Sequence, residues 1–240
     1  MAATLKPHER IFAALDTTDV GRAREWAEAL KGHIGGVKIG KEFFTANGPD
    51  GVHRVVECGL PLFLDLKFHD IPNTVAGAIR ASLALRPLIV NVHAGGGRRM
   101  MEAAAKAADE AQAGARPSVI GVTVLTSMAR DDLAEVGVDE EPLEQVLRLA
   151  RLAKGSGLDG VVCSAKEVVA LRGSVGRDFL LVVPGIRPQW AGADDQKRVV
   201  TPRDAVDLGA DYLVIGRPIT GHKDPAEAAR LIAEELAGAK

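Results

Sequence analysis

The chain has 240 residues, 47% of them hydrophobic and 26% charged, with a formal net charge of −2. That near-neutral balance speaks against nucleic-acid binding, which asks for a basic excess, and no apolar run reaches the roughly 18–20 residues of a membrane span. The opening MAATLKPHER lacks the apolar stretch of a signal peptide, and Cys58 and Cys163 lie far apart without metal-ligand spacing, so reduced thiols in a cytoplasmic protein are expected.

Eight short apolar runs follow one another along the chain: IFAAL (11–15), GVKIG (36–40), LFLDL (62–66), LIVNV (88–92), VIGVTVL (119–125), GVVC (160–163), LLVV (180–183) and YLVIG (212–216). Amphipathic stretches separate them. In DVGRAREWAEAL, Asp19 is placed to cap a helix on which Ala23, Trp26, Ala27 and Leu30 share a face. In TPRDAVDLGA, Thr201 caps and Pro202 takes the first helical position. Strands alternating with helices imply parallel strands joined by right-handed crossovers, and continuous apolar strands suit a sheet covered on both faces. Eight such units in 240 residues predict an α/β fold of the (β/α)8 TIM-barrel class, about 250 residues being usual for that barrel. A doubly wound sheet is the alternative, but it would carry fewer strands and a Gly-rich first turn, which ALDTTDVGRA is not. With no linker, low-complexity tract or close repeat, a single domain over 1–240 is expected. The connections 126–141 and 184–201 are unusually long, as lids over sites often are.

In such a barrel chemistry sits where the strands end. The strand ends carry Asp16, Lys38, Asp65 and Lys67, His93, Thr126, Ser164, Arg187 and Arg217. Polar residues also mark where any strand meets water, but Lys38 and Asp65 lie inside their runs. Alternation of side chains aims Asp65 and Lys67 to one side, with Leu64 and Leu66 on the other. Charges facing a barrel interior must be paired, so Asp65, Lys67 and Lys38 form either a reaction centre or an ion network that only holds the barrel together. Asp70 has a structural alternative as helix N-cap ahead of Pro72. Gly216-Arg217-Pro218 after the eighth run, with Arg187 after the seventh, sits where barrels commonly bind phosphate. His93 stays outside the catalytic set, and neither Ser164 nor Cys163 has an identifiable base.

FLDLKFHDIPNTV, residues 63–75, resembles the signature of the orotidine 5′-phosphate decarboxylase family in its bacterial form. FAALD (12–16), VKIG (37–40), VTVLTS (122–127), PGIRP (184–188), DDQKRV (194–199) and VIGRPI (214–219) extend the resemblance along the chain in matching order. It implies that Lys38, Asp65, Lys67 and Asp70 form the catalytic array, with Lys67 as proton donor. It implies that Asp16 and Lys38 hold the ribose hydroxyls, Thr126 the pyrimidine edge, and Arg187, Gln196, Gly216 and Arg217 the phosphate. It further implies decarboxylation of orotidine 5′-monophosphate to UMP, no metal or organic cofactor, and a homodimer in which Asp70, Ile71 and Thr74 reach the neighbouring site. Two rivals stand beside it. Hexulose-phosphate synthases share the barrel and the Asp-x-Lys-x-x-Asp spacing but use a metal, and a nucleotide-binding barrel would show affinity without turnover.

Overall fold

All eight apolar runs are strands. The computed structural model describes residues 5–191 and 200–238, and in it eight parallel strands close into a barrel in chain order. They are β1 (Ile11–Ala14), β2 (Gly36–Gly40), β3 (Leu62–Phe68), β4 (Ile89–His93), β5 (Ser118–Val122), β6 (Gly160–Val162), β7 (Leu180–Pro184) and β8 (Tyr212–Ile215). The fold is therefore the (β/α)8 barrel that the alternation predicts. By its internal contacts the chain divides into two compact units, Met1–Asp65 with Val183–Lys240, and Leu66–Val182.

The first unit holds β1, β2, most of β3, β8 and the last residues of β7, with helices α1 (Val20–Leu30), α2 (Lys41–Val56), α8 (Pro202–Leu208), α9 (Arg217–Thr220) and α10 (Pro225–Ala237). β1 lies between β2 and β8, with Ala13 opposite Val37 on one side and Ile215 on the other. Phe12 anchors the core here, meeting Phe63 and Tyr212 edge-on at ring separations of 6.1 and 5.3 Å, the geometry aromatic quadrupoles favour. The predicted helix starts are present. Asp19 Oδ1 accepts from the Arg22 amide at 3.1 Å, and Thr201 Oγ1 from the Asp204 amide at 3.1 Å. Ala23, Ala27 and Leu30 are buried as expected. Trp26 is only half-buried, and the Arg22 guanidinium lies over its ring, 4.9 Å from the centroid.

The second unit holds β4, β5, β6 and most of β7, with α3 (Pro72–Ser82), α4 (Arg98–Ala108), α5 (Arg130–Glu135), α6 (Pro142–Gly155) and α7 (Val168–Val175). Asn91 of β4 pairs with Ile120 of β5, Ile120 with Gly160 of β6, and Gly160 with Leu180 of β7. Most strand ends shift by one or two residues from the runs read in the sequence, and two departures are larger. The fifth strand stops at Val122 rather than 125, where the Thr123 hydroxyl takes over by donating to the Val162 carbonyl at 2.9 Å. The 126–141 connection contains a short helix, α5, whose start is fixed by Asp132 Oδ2 accepting from the Ala129 amide at 2.7 Å. Cys58 and Cys163 are both buried.

Candidate active site

The first unit builds its polar centre around one lysine. Lys38 is the third residue of β2, every residue of which is buried, and Lys38 itself is 8% exposed. Its Nζ stands 3.3 Å from Asp65 Oδ2 and 3.3 Å from Asp16 Oδ1. Asp65 is as buried as the lysine, whereas the Asp16 side chain is 59% exposed. Placing an ammonium in a strand interior is tolerable only with such partners. Gly40, two residues on, matters to this geometry: a Cβ there would stand 3.0 Å from Lys38 Nζ. Sequence reasoning passed over Gly40, although its place two residues after a buried lysine was a usable signal.

Asp16 and Lys38 also line a cavity of about 270 Å3, whose other walls include Gly185, Arg187, Gly216 and Arg217. The arginines come from the ends of β7 and β8. Gly185 has φ 75°, the left-handed region that glycine enters without strain, and so lets the chain turn to bring Arg187 to the cavity. At Gly216 a Cβ would meet nothing nearer than Ala14 Cβ at 3.6 Å, so the missing side chain leaves room beside Arg217. Two arginines, a lysine and a carboxylate lining one cavity are the kinds of group that suit a ligand carrying an anion and hydroxyls. Gln196 lies outside the described residues.

The second unit carries the rest of the motif. Lys67 is the penultimate residue of β3 and has φ 51°, one of two non-glycine residues with positive φ among those described. Its amide donates to Asn91 Oδ1 at 2.7 Å, and Asn91 is fully buried. Simple alternation therefore stops short of Lys67: the backbone leaves the pleat there, and the local turn sets where the side chain goes. Asp70 is exposed and is not the cap of α3. Ile71 occupies that position, Pro72 is the first helical residue, and Asp70 Oδ1 instead accepts from the Ile71 amide at 2.6 Å. Ile71 is 66% exposed and Thr74 is exposed too. Thr126 is exposed in the connection after β5. The His93 ring lies 5.4 Å from that of His69. Ser164 forms a reciprocal cap with Glu167, whose Oε2 accepts from the Ser164 amide at 2.8 Å. Burial pushes the Glu167 carboxyl above the usual carboxylate range, with the Ser164 hydrogen bonds opposing. Among the described residues no group of three or more His, Cys, Asp or Glu is placed to hold a metal ion, and no helix is long and apolar enough to cross a membrane.

Comparison with known proteins bears directly on this geometry. The profile of the "Orotidine 5'-phosphate decarboxylase / HUMPS family" matches residues 9–232. An orotidine 5′-phosphate decarboxylase of Rhodospirillum rubrum is 59% identical over 232 residues, covering 95% of this chain and 94% of that one. One of Paramagnetospirillum magneticum is 52% identical over 229 residues, covering 94% and 97%. Among solved structures, the orotidine 5′-phosphate decarboxylase of Lactobacillus acidophilus superposes with a TM-score of 0.85 at 38% identity, covering 94% of this chain and 98% of that one.

Proposed function

The chain belongs to the orotidine 5′-phosphate decarboxylase / HUMPS family, and from that premise we propose how its residues divide the work of its reaction, the decarboxylation of orotidine 5′-monophosphate to UMP and CO2 in pyrimidine biosynthesis. The observation that supports the reading is that the Asp16–Lys38 pair, Arg187 and Arg217 line one cavity. The phosphate dianion takes the two guanidinium groups and the open backbone at Gly216, with Gln196 as a further donor. Asp16 and Lys38 hold the ribose hydroxyls, and Thr126 reads the pyrimidine edge.

Breaking the bond between C6 and the carboxylate releases CO2 and leaves the electron pair on C6, which has no adjacent electron sink. Fixed charge must stabilise that carbanion. Lys67 as an ammonium does so and then transfers its proton to C6, giving UMP; solvent re-protonates the amine. Asp65 and Asp70 keep that ammonium charged and oriented, Lys38 compensates the buried Asp65, and the two aspartates disfavour the substrate carboxylate relative to the product-like state. Asp70, Ile71 and Thr74 act on the site of a second subunit in a homodimer. The exposure of Asp70 and of the apolar Ile71 supports this. Phosphate binding remote from C6 contributes to the chemical step rather than to affinity alone.

The test is a spectrophotometric assay on orotidine 5′-monophosphate in the presence of EDTA. Full turnover is expected. Activity that needs a divalent metal and acts on ribulose phosphate would place the chain with the hexulose-phosphate synthases instead, and UMP affinity without turnover would make it a binding protein.

A further inference from the structure

We propose that Asn91 is a positioning residue, whose side-chain carbonyl holds the Lys67 amide in its left-handed conformation and thereby sets where the Lys67 ammonium stands. This rests on the reading of Lys67 as proton donor.

The backbone of Lys67, at φ 51°, is a conformation in which a Cβ crowds the following carbonyl oxygen. Such strain persists only where the surroundings over-determine it. In a regular parallel ladder the amide at this position would donate to a main-chain carbonyl of the next strand. The positive φ turns the following chain out of such a ladder, and the part-buried amide at the turn needs an acceptor to replace water. The Asn91 carbonyl oxygen supplies the acceptor at 2.7 Å, the short end of the range for N–H donors.

Asn91 itself is an odd choice for its place. It is fully buried in the middle of β4, between Val90 and Val92, which are also fully buried. An amide there is disfavoured against an aliphatic side chain unless it is hydrogen-bonded. What it gains includes a contact that an aliphatic group cannot make, the bond to Lys67. Because β4 is fixed by its register with β5, the acceptor is anchored to the sheet rather than to a loop, as precise positioning requires. Lysine has a long, flexible stem, so a small relaxation of its φ would swing Nζ through a wide arc, and a misplacement of about 1 Å at a reacting group can cost roughly 10²-fold.

Three variants test this: Asn91→Leu, which keeps the shape and loses the acceptor; Asn91→Asp, which keeps the acceptor oxygen; and Lys67→Ala. Steady-state decarboxylation, UMP affinity and urea stability are measured for each. Asn91→Leu should lose on the order of 10²-fold in kcat with UMP affinity nearly unchanged, the split that marks an interaction made in the transition state, and Asn91→Asp should recover most of the loss. A folded Asn91→Leu with parental kcat overturns the proposal, and so does equal loss of kcat in the Leu and Asp variants. If Asn91→Leu does not fold, the Lys67 amide is followed by 15N labelling in the parent enzyme, where it should be shifted downfield and protected from exchange. Free exchange overturns the proposal. Lys67→Ala separates the two levels of argument. An active Lys67→Ala removes the donor assignment itself, whereas an inactive Lys67→Ala beside a fully active Asn91→Leu removes only the role of Asn91.

Discussion

Replacing Lys38 by methionine removes an ammonium and leaves its apolar stem, so it isolates the contribution of charge. At 3.3 Å from Asp65 Oδ2, the attraction at an effective dielectric of 20 is about 5 kcal/mol. The contact with Asp16 adds little, because the Asp16 side chain is 59% exposed and exposed pairs contribute about 0–1 kcal/mol. Desolvation of both buried groups offsets much of the 5 kcal/mol in the folded enzyme, but the variant keeps the Asp65 desolvation and loses the Lys38 charge that offsets it. Breaking a buried pair in this way costs about 3–5 kcal/mol, a large part of the 5–15 kcal/mol that stabilises a typical protein. Urea unfolding at neutral pH should show that loss, and the melting temperature should fall by about 10 °C. The double variant Lys38→Met/Asp65→Leu should regain most of the stability and none of the activity. A loss below about 1 kcal/mol in the single variant, or a double variant as unstable as the two singles summed, would refute the reasoning.

Arg217→Ala should weaken UMP binding by roughly 10–100-fold, the worth of a hydrogen bond to a charged group, while leaving affinity for the nucleoside uridine unchanged; equal UMP affinity in a titration removes the phosphate assignment. Glu167→Gln tests a pH effect. Burial raises the Glu167 carboxyl above its ordinary 4.5, so the folded state binds that proton more tightly than the unfolded state does. Its contribution to stability is then present below 4.5 and lost as pH rises through the raised value. The glutamine variant should show a flatter dependence of the urea midpoint on pH just above 4.5, and an unchanged slope would contradict the burial argument.

The strand order and the barrel were legible because eight continuous apolar runs leave few other arrangements, and because Asp19 and Thr201 carry their caps in plain view. Less was legible where side chains compete with the backbone. The Thr123 hydroxyl ends β5 three residues before the apolar pattern does, and Asp132 starts a helix inside what reads as an acidic loop. Asp70 has the composition of a cap but not the position, since the chain turns one residue later, at Ile71. Lys38 and Asp65 stood out as charges inside strands. Lys67 stood out by its motif, yet nothing in the sequence announces its positive φ, because lysine has no preference for that region. Asn91 reads as a lone polar residue in an apolar run, and only the fold brings its side-chain carbonyl to the Lys67 amide.

The pairing of β1 with β8 has a consequence for association. A sheet whose first strand bonds to its last offers no border of idle backbone donors and acceptors, so another chain cannot extend it by adding a strand. Any chain that docks on this barrel must do so through the side chains of helices and connecting turns, where single substitutions can tune the match without disturbing the strands beneath.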